Sequence, residues 1–562
     1  MSHLLDKYCP LQDFETYEDF VDNFDIRIPD NFNFAYDVVD EWARVEPEKK
    51  ALLWCNDAGE ERTFTFTDIA RLSDKCANAL SELGIKKGDI VLLILGRRWE
   101  YWVIATALFK IGAILIPGTV QLTKKDFIYR ANAAGINMII AADNDYVVEQ
   151  VAEALPEMPS VENLVMVNGQ RDGWLSFDEL LEGGAEDWER PTGTAATTNE
   201  DTLMIYFTSG TTGLPKMVRH NHLHPLGHIL TAKYWQQVQE NMLHLSVSDS
   251  GWAKFGWGKI YGQWICGATV FAYDMDKFVP VNLLQKIQDY KLTTFCAPPT
   301  MYRFMLQEDV ASYDLSSVKN FATAGEPLNA EVTRQWEKAT GLKIREGFGQ
   351  TESVVLLATW PWVEPKAGSM GKPAALYNIR LLGEDGRYAA DGEEGEIVVT
   401  GLGRQIPVGL FVGYYNDDER TAEVFAHDRY NLGDVAWRDS DGYYSFVGRN
   451  DDVIKASGYR IGPFEVESAL IEHPAVVECA ITGAPDELRG LVVKATVVLA
   501  KGWEPSEALI KDLQNHVKKT TAPYKYPRIV EFVDELPKTL GGKIKRKQIR
   551  ETDAGKNAPD SV

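Results

Sequence analysis

The chain has 562 residues, of which 45% are hydrophobic and 25% charged, the balance of an ordinary globular protein with a sizeable core. Its formal net charge of −24 argues against a nucleic-acid partner, which would need a basic face. Anionic small molecules are not excluded, because a phosphate group needs only local lysines, arginines and backbone amides.

The cysteines and the amino-terminal residues indicate the cellular environment. The six cysteines are scattered without a Cys-x-x-Cys pair, which predicts reduced thiols and neither a disulfide framework nor a zinc site. Residues 1–20 are acidic and lack the basic-then-apolar layout of a signal peptide. Residues 101–118 are apolar but contain Lys110, which favours a core helix over a membrane span of about 20 apolar residues. We expect a cytoplasmic protein without a transmembrane segment, and homo-oligomer formation stays open.

Short apolar runs alternate with helical patterns along the first half of the chain. The predicted strands are 89–95, 136–142, 163–167 and 201–207. Residues 66–84 have the apolar spacing of a helix that ends at a glycine, and the alternation predicts an α/β fold. Residues 395–401 and 442–449 predict a β-rich insert or barrel, and from about residue 450 the pattern is that of a compact α+β unit.

A polar loop follows one of these strands. Residues 206–216, "YFTSGTTGLPK", place hydroxyl and amide donors around one point, as loops that hold phosphate oxygens do, and Lys216 would add a mobile charge. The loop is not a P-loop, because Gly210 and Gly213 are too close together and Met217 follows the lysine. Taken alone, a surface hairpin is the alternative.

This loop resembles the phosphate-binding loop of the adenylate-forming enzymes, which include acyl- and aryl-CoA synthetases, nonribosomal adenylation domains and luciferases. Further family motifs follow in the expected order: "AGEPLN" (324–329), "EGFGQTE" (346–352), "YNLGDVA" (430–436), "GRNDDVIKASGYRIGPFEVE" (448–467) and "PKTLGGKIKR" (537–546). The chain is identified as a member. The resemblance implies a large N-terminal domain (1–449) of two α/β sheets plus a β-barrel subdomain, and a small mobile α+β C-terminal domain (450–562).

The resemblance also implies a magnesium–ATP site. Thr351 would contact the α-phosphate, Glu352 would hold Mg²⁺, Asp434 would bind the ribose hydroxyls, and Lys543 and Lys216 would be catalytic. The full set of implied ATP or AMP contacts is Thr208, Ser209, Gly210, Thr211, Thr212, Gly213, Lys216, Gly325, Glu326, Pro327, Glu346, Gly347, Phe348, Gly349, Gln350, Thr351, Asp434, Arg449, Arg460 and Lys543. Two departures from the family pattern, at Asn431-Leu432 and at Gly541, leave Asp434 and Lys543 in place.

The whole chain is most similar to medium-chain acyl-CoA synthetases, through residues 116–130, 457–468 and 521–528. That likeness implies transfer of the acyl group from acyl-AMP to coenzyme A, after a rotation of the C-terminal domain about Asp451. The implied coenzyme A contacts are Gln121, Ser457, Gly458, Tyr459, Arg489, Tyr526, Pro527 and Arg528. A turn glycine at 458 and a solvated surface arginine at 489 are the plain alternatives.

The acid substrate is predicted from the residue before Gln-Thr-Glu. Acetate-specific relatives carry a tryptophan there, whereas this chain has Gly349, which predicts a deep apolar slot. Trp235 and Trp257 are expected as walls, although they are equally compatible with ordinary core, and the place of Lys254 stays open. The hypothesis is a medium-chain, branched or small aromatic acid.

Other functions remain as alternatives. An enzyme that loads a different thiol or amine acceptor would need that acceptor, and a non-catalytic acyl-nucleotide sensor would be expected to lack Lys543 or Glu352, both of which are present. The histidine-rich stretch "RHNHLHPLGH" (219–228) has a spacing that suits no common zinc motif. It is therefore predicted to be structural.

Overall fold

The fold was analysed in a computed structural model. It describes residues 4–208, 214–403, 405–456, 459–486, 490–538 and 544–556, with backbone alone at 459, 460, 490 and 554–556. The α/β fold with a large N-terminal and a smaller C-terminal part, predicted from the sequence, is confirmed.

The strands of the N-terminal part divide between two mainly parallel sheets and one antiparallel sheet. Their bounds are β1 Lys50–Asn56, β2 Glu61–Thr65, β3 Ile90–Ile94, β4 Ile114–Pro117, β5 Met138–Ala142, β6 Asn163–Val167, β7 Leu175–Ser176, β8 Thr202–Thr208, β9 Lys216–Asn221, β10 Leu243–Ser246, β11 Thr269–Asp274, β12 Thr294–Cys296, β13 Asn320–Ala324, β14 Ile344–Phe348, β15 Leu357–Ala358, β16 Lys372–Pro373, β17 Asn378–Leu382, β18 Glu394–Thr400, β19 Arg429–Arg438 and β20 Tyr444–Arg449.

The strands of the C-terminal part are β21 Ile454–Ala456, β22 Tyr459–Ile461, β23 Val476–Asp486, β24 Gly490–Leu499 and β25 Ile529–Phe532. The helices of the whole chain are α1 Tyr17–Asn23, α2 Glu41–Val45, α3 Phe66–Glu82, α4 Glu100–Ile111, α5 Lys124–Ala134, α6 Asp145–Ala154, α7 Phe177–Gly183, α8 His224–Ile229, α9 Ala253–Lys259, α10 Tyr261–Ile265, α11 Pro280–Asp289, α12 Pro299–Met305, α13 Ala330–Thr340, α14 Asp418–Val424, α15 Pro463–Ile471, α16 Glu507–Thr520 and α17 Arg546–Lys556.

Two α/β sheets bring the ends of several strands together. One sheet has the order β7-β6-β5-β3-β4-β8-β9 and the other β16-β15-β14-β13-β12-β10-β11-β1-β2, with parallel pairing through the centre of each. The β-rich subdomain is the antiparallel sheet β17-β18-β19-β20. Because ligands of α/β sheets bind beyond the carboxyl ends of the strands, the ends of β8, β13 and β14 mark the place to examine.

Of the apolar stretch 101–118, which the sequence predicts to be a core helix, residues 101–111 lie in helix α4, whereas residues 114–117 form strand β4. All residues of α4 are buried, and the helix ends at Gly112, whose φ of 83° is the left-handed conformation that favours glycine. Lys110 is buried but paired, with its Nζ 2.8 Å from Asp40 and 2.5 Å from Asp74. Across the described ranges, no helix is both long and apolar enough to cross a membrane.

The C-terminal part has its own core around β23, β24 and α16. Helix α17, near the end of the chain, contacts the first residues of the C-terminal part, since Arg550 Nη1 lies 2.5 Å from Asp452 Oδ1. Arg546, at the start of α17, pairs with Glu467 of α15 at 2.7 Å. One contact with the N-terminal part is the hydrogen bond of 3.1 Å from Asn329 Nδ2 to the Ser468 carbonyl.

Candidate active site

The phosphate-binding loop predicted from the sequence joins β8 to β9. The two strands pair in antiparallel register up to Thr208 and Lys216, and Tyr129 donates a hydrogen bond of 2.8 Å to the Pro215 carbonyl. On its other side β9 bonds to residues 412–415, for example from the Tyr415 N–H to the Met217 carbonyl at 2.8 Å. The strand that carries Lys216 is thus fixed along both edges.

Lys216 lies close to the predicted magnesium ligand, Glu352. Its Nζ is 5.2 Å from the ring centre of Tyr414, and the Tyr414 hydroxyl donates to Glu352 Oε1 at 3.2 Å. Burial raises the pKa of Glu352 against the opposing charge of Lys216, and burial likewise lowers the pKa of Lys216 against the charge of Glu352. A partly desolvated carboxylate beside a cation is suited to a metal-bound polyphosphate. Tyr414 lies outside the family motifs quoted above, so no motif pointed to it.

Gln350 and Asp434 form a second polar group. Gln350 Nε2 donates to Asp434 Oδ2 at 2.6 Å and to the Leu432 carbonyl at 2.8 Å, and its Oε1 accepts from the Tyr430 hydroxyl at 2.8 Å. Asp434 of β19 also lies opposite Arg449 of β20. The structure therefore brings three predicted nucleotide residues together, and Tyr430 is an additional member.

The turn at residues 324–329 is held from two sides. Glu346 is 7% exposed, and its carboxylate oxygen Oε1 accepts from the Leu328 N–H at 3.3 Å. Burial raises its pKa to about 8. Lys254, whose place the sequence left open, donates to the Ala324 carbonyl at 2.8 Å. Within the turn, a Cβ at Gly325 would meet no atom within 4 Å, so its backbone faces open space.

The other predicted nucleotide contacts in this region lie in the turn, at the end of β14 and just beyond it. Glu326 accepts from the Thr300 hydroxyl at 2.8 Å, Pro327 lies next to it in the turn, and Phe348 ends β14. The Thr351 carbonyl accepts from a histidine of β9, at 2.8 Å from His220 Nε2.

Two tryptophans pack against Gly347 of β14 and against Gly349, which follows the strand. A Cβ at Gly347 would lie 2.4 Å from the Trp235 ring, and a Cβ at Gly349 would lie 2.5 Å from the Trp257 ring. Trp235 is fully buried and Trp257 is 6% exposed. The space beside Gly349, which the sequence predicts to be an open slot, therefore contains the Trp257 indole. A ring from α9 takes the room that a tryptophan at position 349 would need.

The predicted coenzyme A residues come from both domains. Gln121 is exposed in the loop between β4 and α5, whereas Tyr526, Pro527 and Arg528 precede β25, with Arg528 donating to the Tyr526 hydroxyl at 2.7 Å. Tyr459 and Arg460 lie in β22. The predicted residues outside the described ranges are Ser209, Gly210, Thr211, Thr212, Gly213, Ser457, Gly458, Arg489 and Lys543.

Comparison with known proteins decides the family. The profile of the AMP-binding enzyme family matches residues 39–415, and that of the AMP-binding enzyme C-terminal domain matches residues 465–543. The chain is an AMP-binding enzyme.

Relatives place this AMP-binding enzyme among the acyl-coenzyme A synthetases. It is 42% identical to "Acyl-coenzyme A synthetase ACSM3, mitochondrial" of Homo sapiens, over 96% of this chain and 93% of the relative. It is 44% identical to "Acyl-coenzyme A synthetase ACSM4, mitochondrial" of Homo sapiens, over 94% and 91%. The prediction of a cytoplasmic protein is wrong on this comparison, because the relatives are named as mitochondrial. Composition and cysteine pattern do not distinguish these two reducing environments.

Solved structures share the fold of the AMP-binding enzyme. The anthranilate CoA ligase AuaEII in complex with anthranoyl-AMP has a TM-score of 0.86 and 29% identity, over 95% of this chain and 99% of that chain. A benzoate CoA ligase from Burkholderia xenovorans LB400 has a TM-score of 0.79 and 27% identity, over 92% and 100%.

Proposed function

We propose that this enzyme joins a compact carboxylic acid to coenzyme A with ATP, by way of an acyl-adenylate. The observation that carries the proposal is the meeting of Lys216 of β9 with Glu352 beyond β14. The two groups belong to different sheets, and together they offer a cation and a metal-binding carboxylate to one polyanion. The acyl-coenzyme A synthetases among the relatives support the same reaction.

The first step forms the acyl-adenylate. The carboxylate of the acid attacks the α-phosphorus of ATP, and the bond to pyrophosphate breaks. Both reactants are anions, so the enzyme has to hold them in line and offset their charge. We assign this role to Lys216, Thr351 and Lys543 together with the backbone amides of residues 209–213.

Magnesium suits the carboxylate of Glu352, because Mg²⁺ prefers hard oxygen ligands and is usually shared with phosphates. The hydrogen bond from Tyr414 orients that carboxylate. When bound, Mg²⁺ neutralises negative charge on the phosphates. The ribose of the nucleotide is assigned to Asp434, which Gln350 holds in place.

The second step transfers the acyl group. The thiolate of coenzyme A attacks the acyl carbon and AMP leaves. We propose that the C-terminal domain, residues 450–562, rotates about Asp451 between the steps, so that Lys543 gives way to the thiol. The proposed coenzyme A contacts are Gln121, Ser457, Gly458, Tyr459, Arg489, Tyr526, Pro527 and Arg528.

We propose a medium-chain, branched or small aromatic acid, because the packing of Trp257 against Gly349 limits how long a straight chain can enter beside it. Each buried methylene contributes about 0.8 kcal/mol, or roughly fourfold in kcat/KM, until the chain meets a wall. The anthranilate and benzoate ligases among the structural relatives support an aromatic acid of this size.

The test is acid-dependent release of pyrophosphate over a panel of linear, branched and aromatic acids, with and without coenzyme A, with thioester followed separately. We expect pyrophosphate release with compact acids and thioester only when coenzyme A is present. Pyrophosphate release without thioester would point to another acceptor, and nucleotide binding without pyrophosphate release would point to a sensor.

The variant Lys543→Ala separates the two steps. It should abolish pyrophosphate release and spare thioester formation from supplied acyl-AMP, because the lysine is assigned to the first step alone. Lys545→Ala, two residues further along, is the matched control and should leave both steps intact. Equal loss of both steps in Lys543→Ala would contradict the proposed domain rotation.

A further inference from the structure

The stretch 219–228 contains four buried histidines, His220, His222, His224 and His228, and the steps proposed above assign a role to none of them. Side chains alternate along a strand, so Lys216, Val218 and His220 of β9 point to the same face. Lys216 at one end of this row lies near Glu352, and His220 at the other end bonds to the Thr351 carbonyl at 2.8 Å. Side chains on one face of β9 therefore lie next to both Thr351 and Glu352.

The bond fixes the state of the His220 ring. A carbonyl oxygen only accepts hydrogen bonds, so His220 Nε2 carries the ring proton and its N–H donates a hydrogen bond to the Thr351 carbonyl. The ring is fully buried, and burial lowers its pKa to about 4. His220 is therefore a neutral imidazole with a single tautomer at neutral pH.

The His220 ring packs against a series of buried rings formed by His224, His228 and Tyr261. The His224 ring lies 3.8 Å from the His220 ring, centre to centre, and His224 Nε2 shares a hydrogen bond of 3.1 Å with His228 Nε2. His228 in turn stacks on Tyr261 at 5.5 Å. Burial lowers the pKa of both His224 and His228. The rings are therefore neutral at neutral pH and do not repel one another. Throughout the described ranges no group of three or more metal-ligating side chains is set up to hold an ion.

We propose that His220 is a positioning residue, which holds Thr351 and Glu352 in register with Lys216. The inference rests on the proposed function, because it takes Thr351 and Glu352 to face the nucleotide. A carbonyl fixed by a rigid imidazole keeps the following residues in one geometry, and small displacements of groups around a reacting phosphate lower the rate strongly.

The variants test the hydrogen bond separately from packing. His220→Phe keeps a ring but removes the donor, and His220→Gln places an amide N–H near the position of Nε2. His222→Phe is the matched control, since His222 is buried to a similar extent and has a pKa lowered by burial to about 4, but it lies beyond the end of β9, with Asp201 and Lys87 as its charged neighbours. All four proteins are compared in pyrophosphate release and in thioester formation from supplied acyl-AMP.

We expect His220→Phe to lower kcat for pyrophosphate release by about tenfold or more, the loss of one hydrogen bond at the reacting centre. Thioester formation from acyl-AMP should stay within about threefold, and His220→Gln should recover most of the rate. Equal activity of His220→Phe and His222→Phe, or equal loss of both steps, would overturn the inference.

A second measurement needs no variant that must fold. In wild-type protein labelled with ¹⁵N-histidine, addition of ATP with Mg²⁺ should shift the Nε2–H resonance of His220 and leave the ring nitrogen resonances of His222 in place. A resonance that does not respond to bound nucleotide would overturn the inference. A wild-type protein that binds ATP yet forms no acyl-adenylate with any acid would refute the proposed function instead, while the resonance still reports on the bond.

Discussion

Replacing Glu346 by glutamine should change how the stability of the fold depends on pH. The carboxyl of Glu346 is buried beside Leu328, and burial raises its pKa from 4.5 to about 8. Because the folded pKa lies above the unfolded one, the folded state holds an extra proton between these values. Its contribution to stability is full below pH 4.5 and is lost as the pH rises through 8.

The size of the effect follows from the two pKa values. Linkage at about 1.4 kcal/mol per pKa unit gives a loss of roughly 3 to 4 kcal/mol in the free energy of unfolding between pH 5 and pH 8. Glutamine keeps a carbonyl oxygen for the Leu328 N–H and has no proton to lose. Glu346→Gln should therefore gain stability relative to wild type by about that amount over the same interval.

Urea unfolding of wild type and Glu346→Gln at pH 5 and pH 8 measures the difference. Glu182→Gln, at an exposed position, serves as the control and should follow wild type at both pH values. A constant difference between wild type and Glu346→Gln from pH 5 to pH 8 would refute the reasoning, because it would show that Glu346 does not change its protonation on folding.

Three further outcomes are expected, two from the site and one from the buried cysteines. Tyr414→Phe removes the donor to Glu352 and should raise the Mg²⁺ concentration for half-maximal pyrophosphate release about threefold to tenfold; an unchanged Mg²⁺ titration would contradict the assigned role. Gly349→Ala places a Cβ 2.4 Å from the Val354 carbonyl oxygen and 2.5 Å from the Trp257 ring, so both must shift. It should change kcat/KM for the bulkiest acids by about tenfold more than for the smallest, whereas a uniform change would count against the pocket. The six cysteines are free and buried, so iodoacetamide should label none of them in the folded protein and all of them in urea; fast labelling of the folded protein would show that a thiol is accessible.

Much of the fold was predictable because it depends on local pattern. The core helix α4 followed from an apolar stretch with one lysine, and the structure satisfies that lysine with Asp40 and Asp74. The turn and strand motifs likewise marked Gln350 and Asp434, which the structure joins by a hydrogen bond.

What could not be predicted depends on contacts between distant segments. Trp257 was predicted as a wall of the slot beside Gly349, but the sequence does not show that its ring packs directly against Gly349 and occupies that space. A motif match also assigns a residue to a site without giving the direction of its side chain. Glu346 shows this, since its carboxyl contacts the Leu328 N–H of the turn.

The ion pair between Arg550 and Asp452 has a consequence for recombination between relatives. It joins the last described helix to Asp452, directly after the proposed pivot Asp451. Both partners of this ion pair, called the clasp below, therefore belong to the C-terminal segment. A graft from another acyl-coenzyme A synthetase that begins at the counterpart of Asp452 would keep both halves of that clasp. Such a cassette meets its host through a single peptide junction, and the surfaces around Asn329 and Ser468, around Glu384 and Lys455, and around Val447 and Gly462 would need to be matched to the new neighbour.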